Sequence, residues 1–421
     1  MIKKKGCPIK VYLSVIGLLF SFVAIPSALG GNIRLGKLTV EPGITYQGEY
    51  NDNVFLENEN KESDFLHTLA PSVVLKYEGR PGNYFSTGYR MKFTSYSDFN
   101  DNNHQMHNPF VSFGIKTPAG FYTRTDAQYV YTEDPYGTDS QYGEGEKTKR
   151  WSNSTRFLLG YEFAGRYGIE GMYQHHLQRF YANADKWQNR TDQQYGFTFF
   201  YKLTAKTSLL AQYRRTQARY DAQNDGIWQG GTLSWSDSTS QDYTLSDYFI
   251  GVHFRPGGKL SGEIKLGYGQ KRFANPGDMN GHAYEDQSSW VAEADINYHP
   301  TQRTLLSWTL KRAYKGSSDM DTSSYLDTLI GLYLKQRFSD RFSFGLGLDW
   351  NRSDYSGGGL ANSDKKYFNT YTAKASFEWV LFKWLTGGIE YRYRVRRAGD
   401  TLYEDEEYKN NVLLIRLDAK F

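Results

Sequence analysis

A strict alternation of apolar and polar side chains, repeated from Leu38 to Phe421, most constrains the fold of this 421-residue chain. At the C-terminus the apolar members are Leu413, Ile415, Leu417, Ala419 and Phe421, and the polar positions between them include Arg416, Asp418 and Lys420. Period two is typical of a strand that has one face in apolar surroundings and the other in water. Most of the chain is therefore predicted to be β-strand.

About 18 such segments can be counted, and the connections between them alternate between short and long. The longest connection covers residues 221–242. The predicted strands are 38–50, 65–78, 84–97, 106–117, 121–133, 150–163, 167–181, 190–202, 206–220, 243–255, 259–273, 287–299, 303–315, 324–337, 341–354, 367–381, 385–397 and 409–421.

In a bilayer every backbone polar group must be paired within the protein, so a spanning sheet has to close into a barrel. Bacterial barrels combine an even strand number, short periplasmic turns, long outer loops and apolar-out, polar-in alternation. We therefore predict an all-β transmembrane antiparallel up-and-down barrel of about 18 strands in the outer membrane of a Gram-negative bacterium. An even strand number places both termini in the periplasm. The alternative is a soluble β-sandwich or propeller.

The first 30 residues form a separate segment, predicted to be a cleavable signal peptide. Lys3, Lys4 and Lys5 precede an apolar run at 11–25, and small residues follow up to Gly30. This order is typical of a secretory signal, and an uncleaved anchor helix is the alternative. Residues 31–421 are then one barrel domain. The single cysteine, Cys7, lies in the signal, so the mature chain would have neither disulfide nor thiol chemistry.

If the apolar parity of each strand faces lipid, the other parity lines a pore. Charged side chains on the lipid face at mid-bilayer would cost about 2–4 kcal/mol for each Lys or Arg, so their inward parity is first a structural requirement. The candidate pore-lining residues are Arg90, Lys92, Arg124, Arg214, Glu293, Asp295, Asp349, Arg392, Arg394 and Arg396.

The last three of these lie on one strand and predict a basic track for an anionic or hydroxyl-rich cargo, since guanidinium groups suit carboxylate and phosphate. The alternative is an ion-pair network with Glu390, Glu378 and Asp418. In the longest loop Trp228 and Trp235 are candidates for stacking on sugar faces, or for bracing the loop.

Chemistry of other kinds finds little support. No nucleotide-binding loop, zinc spacing or dinucleotide motif occurs on a suitable scaffold, so we expect neither an enzyme nor a cofactor or metal. Glu293 and Asp295 share one face and could do acid–base work or hold Ca²⁺, but lumen lining explains them as well. The formal charge of +4 gives no basic footprint for nucleic acid.

A more specific sequence pattern lies at the start of the mature chain. It consists of the segments 41–46 (EPGITY), 50–55 (YNDNVF), 64–69 and 71–75 (PSVVL). This stretch resembles the start of the putative β-barrel porin 2 family, in which a strand ending in Tyr-x-Asp-Asn-Val-Phe precedes a second strand around a Pro. The specific match covers about the first two strands. The resemblance implies an outer-membrane barrel, and several family members are linked to exopolysaccharide or capsule assembly.

Asn51, Asp52 and Asn53 would begin the first outer loop, with Glu57, Glu59 and Glu62 following. Oxygen-rich loops can bind Ca²⁺. The alternative is a solvated turn in which Asn and Asp side chains bond their own backbone.

Three functions are compatible with this reading. The first is export of an exopolysaccharide across the outer membrane, the second a general or substrate-selective diffusion porin, and the third a structural or adhesive surface barrel. The expected partners are outer-membrane lipid, the barrel-insertion machinery, which would recognise the strand ending in Phe421, and, for export, periplasmic export components.

Overall fold

The computed structural model describes residues 33–135, 147–221, 227–229, 232–234, 241–255, 257–275, 284–316, 324–356 and 366–421. The predicted signal peptide and Trp235 lie outside these ranges, and only the backbone is described at Trp228. Within the described ranges no helix is long and apolar enough to cross a membrane.

Eighteen long strands build one sheet. They are β1 (Leu38–Asn51), β2 (Asp64–Glu78), β3 (Tyr84–Tyr96), β4 (His104–Lys116), β5 (Phe121–Thr132), β6 (Arg150–Phe163), β7 (Tyr167–Phe180), β8 (Arg190–Lys202), β9 (Thr207–Tyr220), β10 (Tyr243–Phe254), β11 (Leu260–Phe273), β12 (Gln287–Thr301), β13 (Thr304–Gly316), β14 (Ser324–Arg337), β15 (Phe342–Ser356), β16 (Tyr367–Phe382), β17 (Leu385–Ala398) and β18 (Tyr408–Lys420). The predicted boundaries differ from these by no more than two residues.

Each strand pairs antiparallel with the next, and β1 pairs with β18, for example at Tyr46 opposite Leu417. The sheet is therefore a closed barrel, as predicted. A short strand, Ile33–Leu35, folds back on the start of β1.

Connections of two residues (383–384) to five (79–83) alternate with longer ones of 7 (317–323) to 22 residues (221–242). Among the described residues, short 3₁₀ helices lie in long connections at Asn100–Asn102, Asn183–Gln188 and Thr401–Glu406. The longest connection contains a small hairpin of Ile227–Gln229 and Thr232–Ser234. The start of β1 and the end of β18 both lie at the end of the barrel that carries the short turns.

Two observations distinguish the inside of the barrel from the outside. Large apolar side chains of one parity are exposed along the strands, such as Leu346 and Leu348 of β15. Side chains of the other parity reach across an intervening strand, as Lys202 of β8 does to Glu162 of β6 at 2.6 Å. Such contacts are favoured on the concave face of a curved sheet, where side chains converge. The polar parity therefore faces the lumen, and the apolar parity is left for lipid.

The charged lumen as candidate functional site

The inner wall from β9 to β12 carries an ion-pair cluster, here called the Arg214 cluster. Arg214 on β9 bonds Asp247 on β10 at 2.9 Å and Glu293 on β12 at 2.7 Å. Lys265 on β11 lies 2.7 Å from Glu293 and 3.0 Å from Glu263. Each cation has two carboxylate partners, so the charges largely compensate one another. The sequence indicated Arg214 and Glu293 separately, and the barrel curvature brings them together.

Other predicted lumen carboxylates have partners of their own. Asp349 pairs with Lys374 of the next strand at 3.1 Å. Asp295, two residues from Glu293, accepts a hydrogen bond from the Thr309 hydroxyl at 3.1 Å. Glu293 and Asp295 therefore have separate partners. Within the described residues no group of three or more His, Cys, Asp or Glu side chains could hold a metal ion.

The predicted basic track on β17 is only partly realised. All three arginines have inward parity, but they differ in surroundings. Arg392 pairs with Glu390 at 2.6 Å. Arg396 is 1% exposed, with its guanidinium 3.6 Å from the Phe368 ring centre and one nitrogen 3.9 Å from a Glu406 oxygen. The prediction that it lines the pore is wrong, because the loop before β18 and the Phe368 ring cover it.

The alternative network was also only partly right. Glu390 does pair with Arg392, but the other two expected carboxylates pair with different residues. Glu378 bonds Lys335 at 2.5 Å and Asp418 bonds Arg416 at 2.6 Å. These pairings depend on which side chains the stagger of the strands brings close together. Arg394, between Arg392 and Arg396, has inward parity and intermediate exposure.

A cavity of about 310 Å³, here called the β3–β7 cavity, opens in another part of the inner wall. Its polar lining comes from five neighbouring strands: Arg90, Ser112, Asp126, Gln128, Ser154, Arg156 and Gln174, with Phe110 beside them. Hydroxyls, amides and guanidinium groups together can bind a ligand rich in hydroxyl groups that also carries negative charge.

The carboxylate of the β3–β7 cavity is already engaged. Asp126 accepts from the Ser112 hydroxyl at 2.6 Å and from Arg124 at 2.7 Å. Arg124, a predicted lumen residue, therefore serves mainly to hold Asp126.

The two cavity arginines are different. Arg90 lies 3.9 Å above the Phe110 ring centre and 3.4 Å from the Asn108 side-chain oxygen. Arg156 faces the cavity from β6. Among residues the structure describes, neither has a carboxylate oxygen within 4 Å. Lys92, two residues after Arg90, shares its inward parity and adds to the positive charge.

Sequence reasoning identified Arg90, Lys92 and Arg124 but did not single out Gln128, Ser154 or Gln174. These three lie on the inward parity of predicted strands, which is the signal that could have found them. Parity alone does not show that residues from five strands surround one cavity.

The Asn51–Asn53 segment forms a turn at the end of β1, in which Asn53 is buried and the other two residues are half-buried. Asn53 is 0% exposed. Its side-chain nitrogen donates to the carbonyls of Glu57 at 2.7 Å and Lys409 at 3.0 Å, and its side-chain oxygen accepts from the Glu57 N–H at 2.9 Å. Asp52 accepts from the backbone and side chain of Asn411, each at 2.6 Å. The turn ties β1 to β18 at the closing seam, which we call the seam turn.

Phe421 lies at the opposite end of the same seam. Its N–H donates to the Pro42 carbonyl at 3.0 Å, and its ring stacks on Trp384 with centres 5.9 Å apart. Recognition of this residue during membrane insertion stays a prediction.

Residues 28–421 match the family described as putative β-barrel porin 2. The chain belongs to this family. Membership agrees with the closed barrel and its lipid-facing apolar surface, and it places this member of the β-barrel porin 2 family in the outer membrane. No curated protein matches the chain in sequence.

Solved outer-membrane barrels resemble this family member at low identity. A loop-deletion mutant of OmpT from Vibrio cholerae is 10% identical over 92% of this chain and 100% of its own, with a TM-score of 0.37. The siderophore receptor PirA from Pseudomonas aeruginosa is 8% identical over 91% of this chain and 80% of its own, with a TM-score of 0.42. The FrpB iron transporter from Neisseria meningitidis is 9% identical over 90% of this chain and 81% of its own, with a TM-score of 0.45.

Proposed function

We propose that this barrel is the outer-membrane channel through which an anionic exopolysaccharide leaves the cell. The observation that supports this most is the β3–β7 cavity, where among the described residues no carboxylate oxygen lies within 4 Å of the Arg90 or Arg156 guanidinium group. Amide and hydroxyl groups of Gln128, Ser154 and Gln174 surround them. A polymer with carboxylate and hydroxyl groups would match this lining.

Transport requires binding that is favourable enough for entry and weak enough for release. The Arg214 cluster meets the second condition, since its cations are already paired and would not hold an acidic polymer tightly. The β3–β7 cavity meets the first, since its guanidinium groups can exchange water for successive sugar carboxylates. The role of this lining is a conduit rather than a catalyst.

The proposal includes an orientation and partners. The long connections would face the cell exterior, and the short turns and both termini the periplasm, where export components would dock. The strand ending at Phe421 would be read by the barrel-insertion machinery. Residues 1–30 would direct secretion and be removed.

The test is surface polysaccharide in a strain that lacks the gene. Loss of surface polymer with periplasmic accumulation, restored by the wild-type gene, is the expected result. Complementation with Arg90→Gln and Arg156→Gln together should restore less polymer than the wild type. The double variant Lys76→Gln and Arg416→Gln, which removes two lumen cations that already pair with carboxylates, is the matched control. Unchanged polymer in the deletion strain would overturn the proposal.

The second candidate is a diffusion porin. An 18-strand barrel is wide enough to leave an aqueous channel, which favours this alternative. Steady ohmic conductance of the purified barrel in a planar bilayer, together with normal polymer in the deletion strain, would support it over export.

A further inference from the structure

Three arginines form a patch on the outer surface near the long-connection end of β9 to β11. Arg215 and Arg219 on β9 and Arg272 on β11 are exposed and have the lipid-facing parity. The intervening strand places Ser246 opposite Arg215 and Thr244 opposite Arg272. These three guanidinium groups, with the hydroxyls between them, are called the arginine patch.

An aromatic row lies next to the patch, on the side toward the membrane centre. Its members are opposite one another on successive strands, and all are 36–52% exposed: Phe197, Tyr213, Tyr248, Tyr268 and Trp290. Outward-facing aromatic rings of barrels concentrate at the boundary between hydrocarbon and headgroups. Arg215 follows Tyr213 by two residues, so the patch borders the aromatic row on its long-connection side.

The depth of the patch makes its charge tolerable. An Arg on the lipid face costs about 2–4 kcal/mol at the midplane and about 0–1 kcal/mol near the interface. Arg219 and Arg272 each stand one residue before the end of their strand. Arg215 lies deeper, and its long side chain can extend toward the headgroups.

Three other outward arginines of the described barrel have acidic partners, whereas Arg312 of β13 bonds neutral groups and lies over the Trp290 ring. Arg179 pairs with Asp221 at 3.1 Å, Arg352 with Asp354 at 2.7 Å and Arg397 with Glu407 at 2.5 Å.

For the arginine patch, no carboxylate oxygen lies within 4 Å of its nitrogens in the part of the chain that the structure describes. Two carboxylates border the patch: Asp242, just before β10, accepts from the Tyr220 N–H at 2.7 Å, and Asp286, just before β12, accepts from the Phe273 N–H at 3.0 Å. The patch therefore has positive charge and hydroxyl donors, and the carboxylates beside it bond backbone N–H groups rather than its guanidinium groups.

We propose that the arginine patch binds the phosphate groups of a lipid headgroup in the leaflet on the long-connection side. Guanidinium forks match phosphate oxygens, and serine and threonine hydroxyls add hydrogen bonds. The occupant is a lipid because the patch continues the apolar, aromatic surface that faces the bilayer. Lipid binding at the patch does not depend on the cargo that the lumen would carry.

The test is a titration of the full barrel in detergent with bis-phosphorylated lipid A, followed by native mass spectrometry. Dephosphorylated lipid A with the same acyl chains measures the contribution of the phosphates. The triple variant Arg215→Ser, Arg219→Ser and Arg272→Ser should weaken binding of the phosphorylated lipid at least about tenfold, which is about 1.4 kcal/mol. Its binding of the dephosphorylated lipid should equal that of the wild type.

The control is the triple variant Arg179→Ser, Arg352→Ser and Arg397→Ser, which removes the same charge from arginines that already have acidic partners. It should change binding less than about twofold, the range expected where no direct contact is lost. Equal losses in both triple variants, or no preference of the wild type for the phosphorylated lipid, would overturn the proposal. If the patch variant does not fold, the single Arg272→Ser variant replaces it and should weaken binding about threefold, or about 0.7 kcal/mol.

Discussion

Replacing Asn53 by alanine should loosen the closing seam of the barrel. The side chain is 0% exposed and makes three hydrogen bonds, two as donor to the carbonyls of Glu57 and Lys409 and one as acceptor from the Glu57 N–H. A typical internal hydrogen bond contributes about 0.5–1.5 kcal/mol, and buried partners left unsatisfied raise the loss. Three such bonds place the expected destabilisation at about 2–4 kcal/mol.

The assay is urea unfolding of the barrel refolded in lipid vesicles, followed by tryptophan fluorescence. The Asn53→Ala variant should unfold at lower urea with an unchanged slope, because it weakens the fold without altering the area exposed on unfolding. Asn100→Ala is the control, since Asn100 is exposed and its side chain makes one long contact of 3.5 Å. Its stability should lie within about 0.5 kcal/mol of the wild type.

The same experiment distinguishes the seam turn from a Ca²⁺ loop. The Asn53 oxygen is already used by the Glu57 N–H, and both oxygens of Asp52 accept from Asn411. Adding Ca²⁺ or EDTA should therefore leave the unfolding midpoint unchanged. An Asn53→Ala variant as stable as the wild type, or a midpoint that rises with Ca²⁺, would refute this account of the seam.

Three further outcomes are expected. Glu293→Gln weakens the ion pairs of Arg214 and Lys265 at once. Because these pairs are partly buried, the loss of stability should be about 1–3 kcal/mol, between the values for exposed and for fully buried ion pairs. Removing the negative charge should also shift bilayer conductance toward anions. Gly160→Val should cost about 1–3 kcal/mol in urea unfolding, because even a Cβ at this position collides with the Tyr122 ring. Arg392→Ser should alter ion selectivity in planar bilayers, whereas Arg396→Ser should lower stability with selectivity unchanged, since only the first side chain borders the lumen; the reverse pattern would contradict the placement of the two residues.

The sequence alone predicts the architecture of this barrel. The alternation at residues 413–421 is a local property, because side chains two apart along a strand point to the same face in any sheet. The bilayer then decides which face is apolar, and the short turns at 383–384 and 302–303 order the strands. For this reason the sequence predicts the strands, their parity and the closure of the barrel. The first two strands also predict membership of the family.

Only the tertiary structure decides which lumen residues meet. Glu378 pairs with Lys335 rather than with an arginine of β17, and Arg214 reaches Glu293 three strands away. Arg396 shares the parity of Arg392 but lies beneath Phe368. These contacts depend on the stagger between strands and on the curvature of the closed wall. Neither is encoded by the period of a single strand, so parity gives the face of a side chain and the closed barrel gives its neighbours.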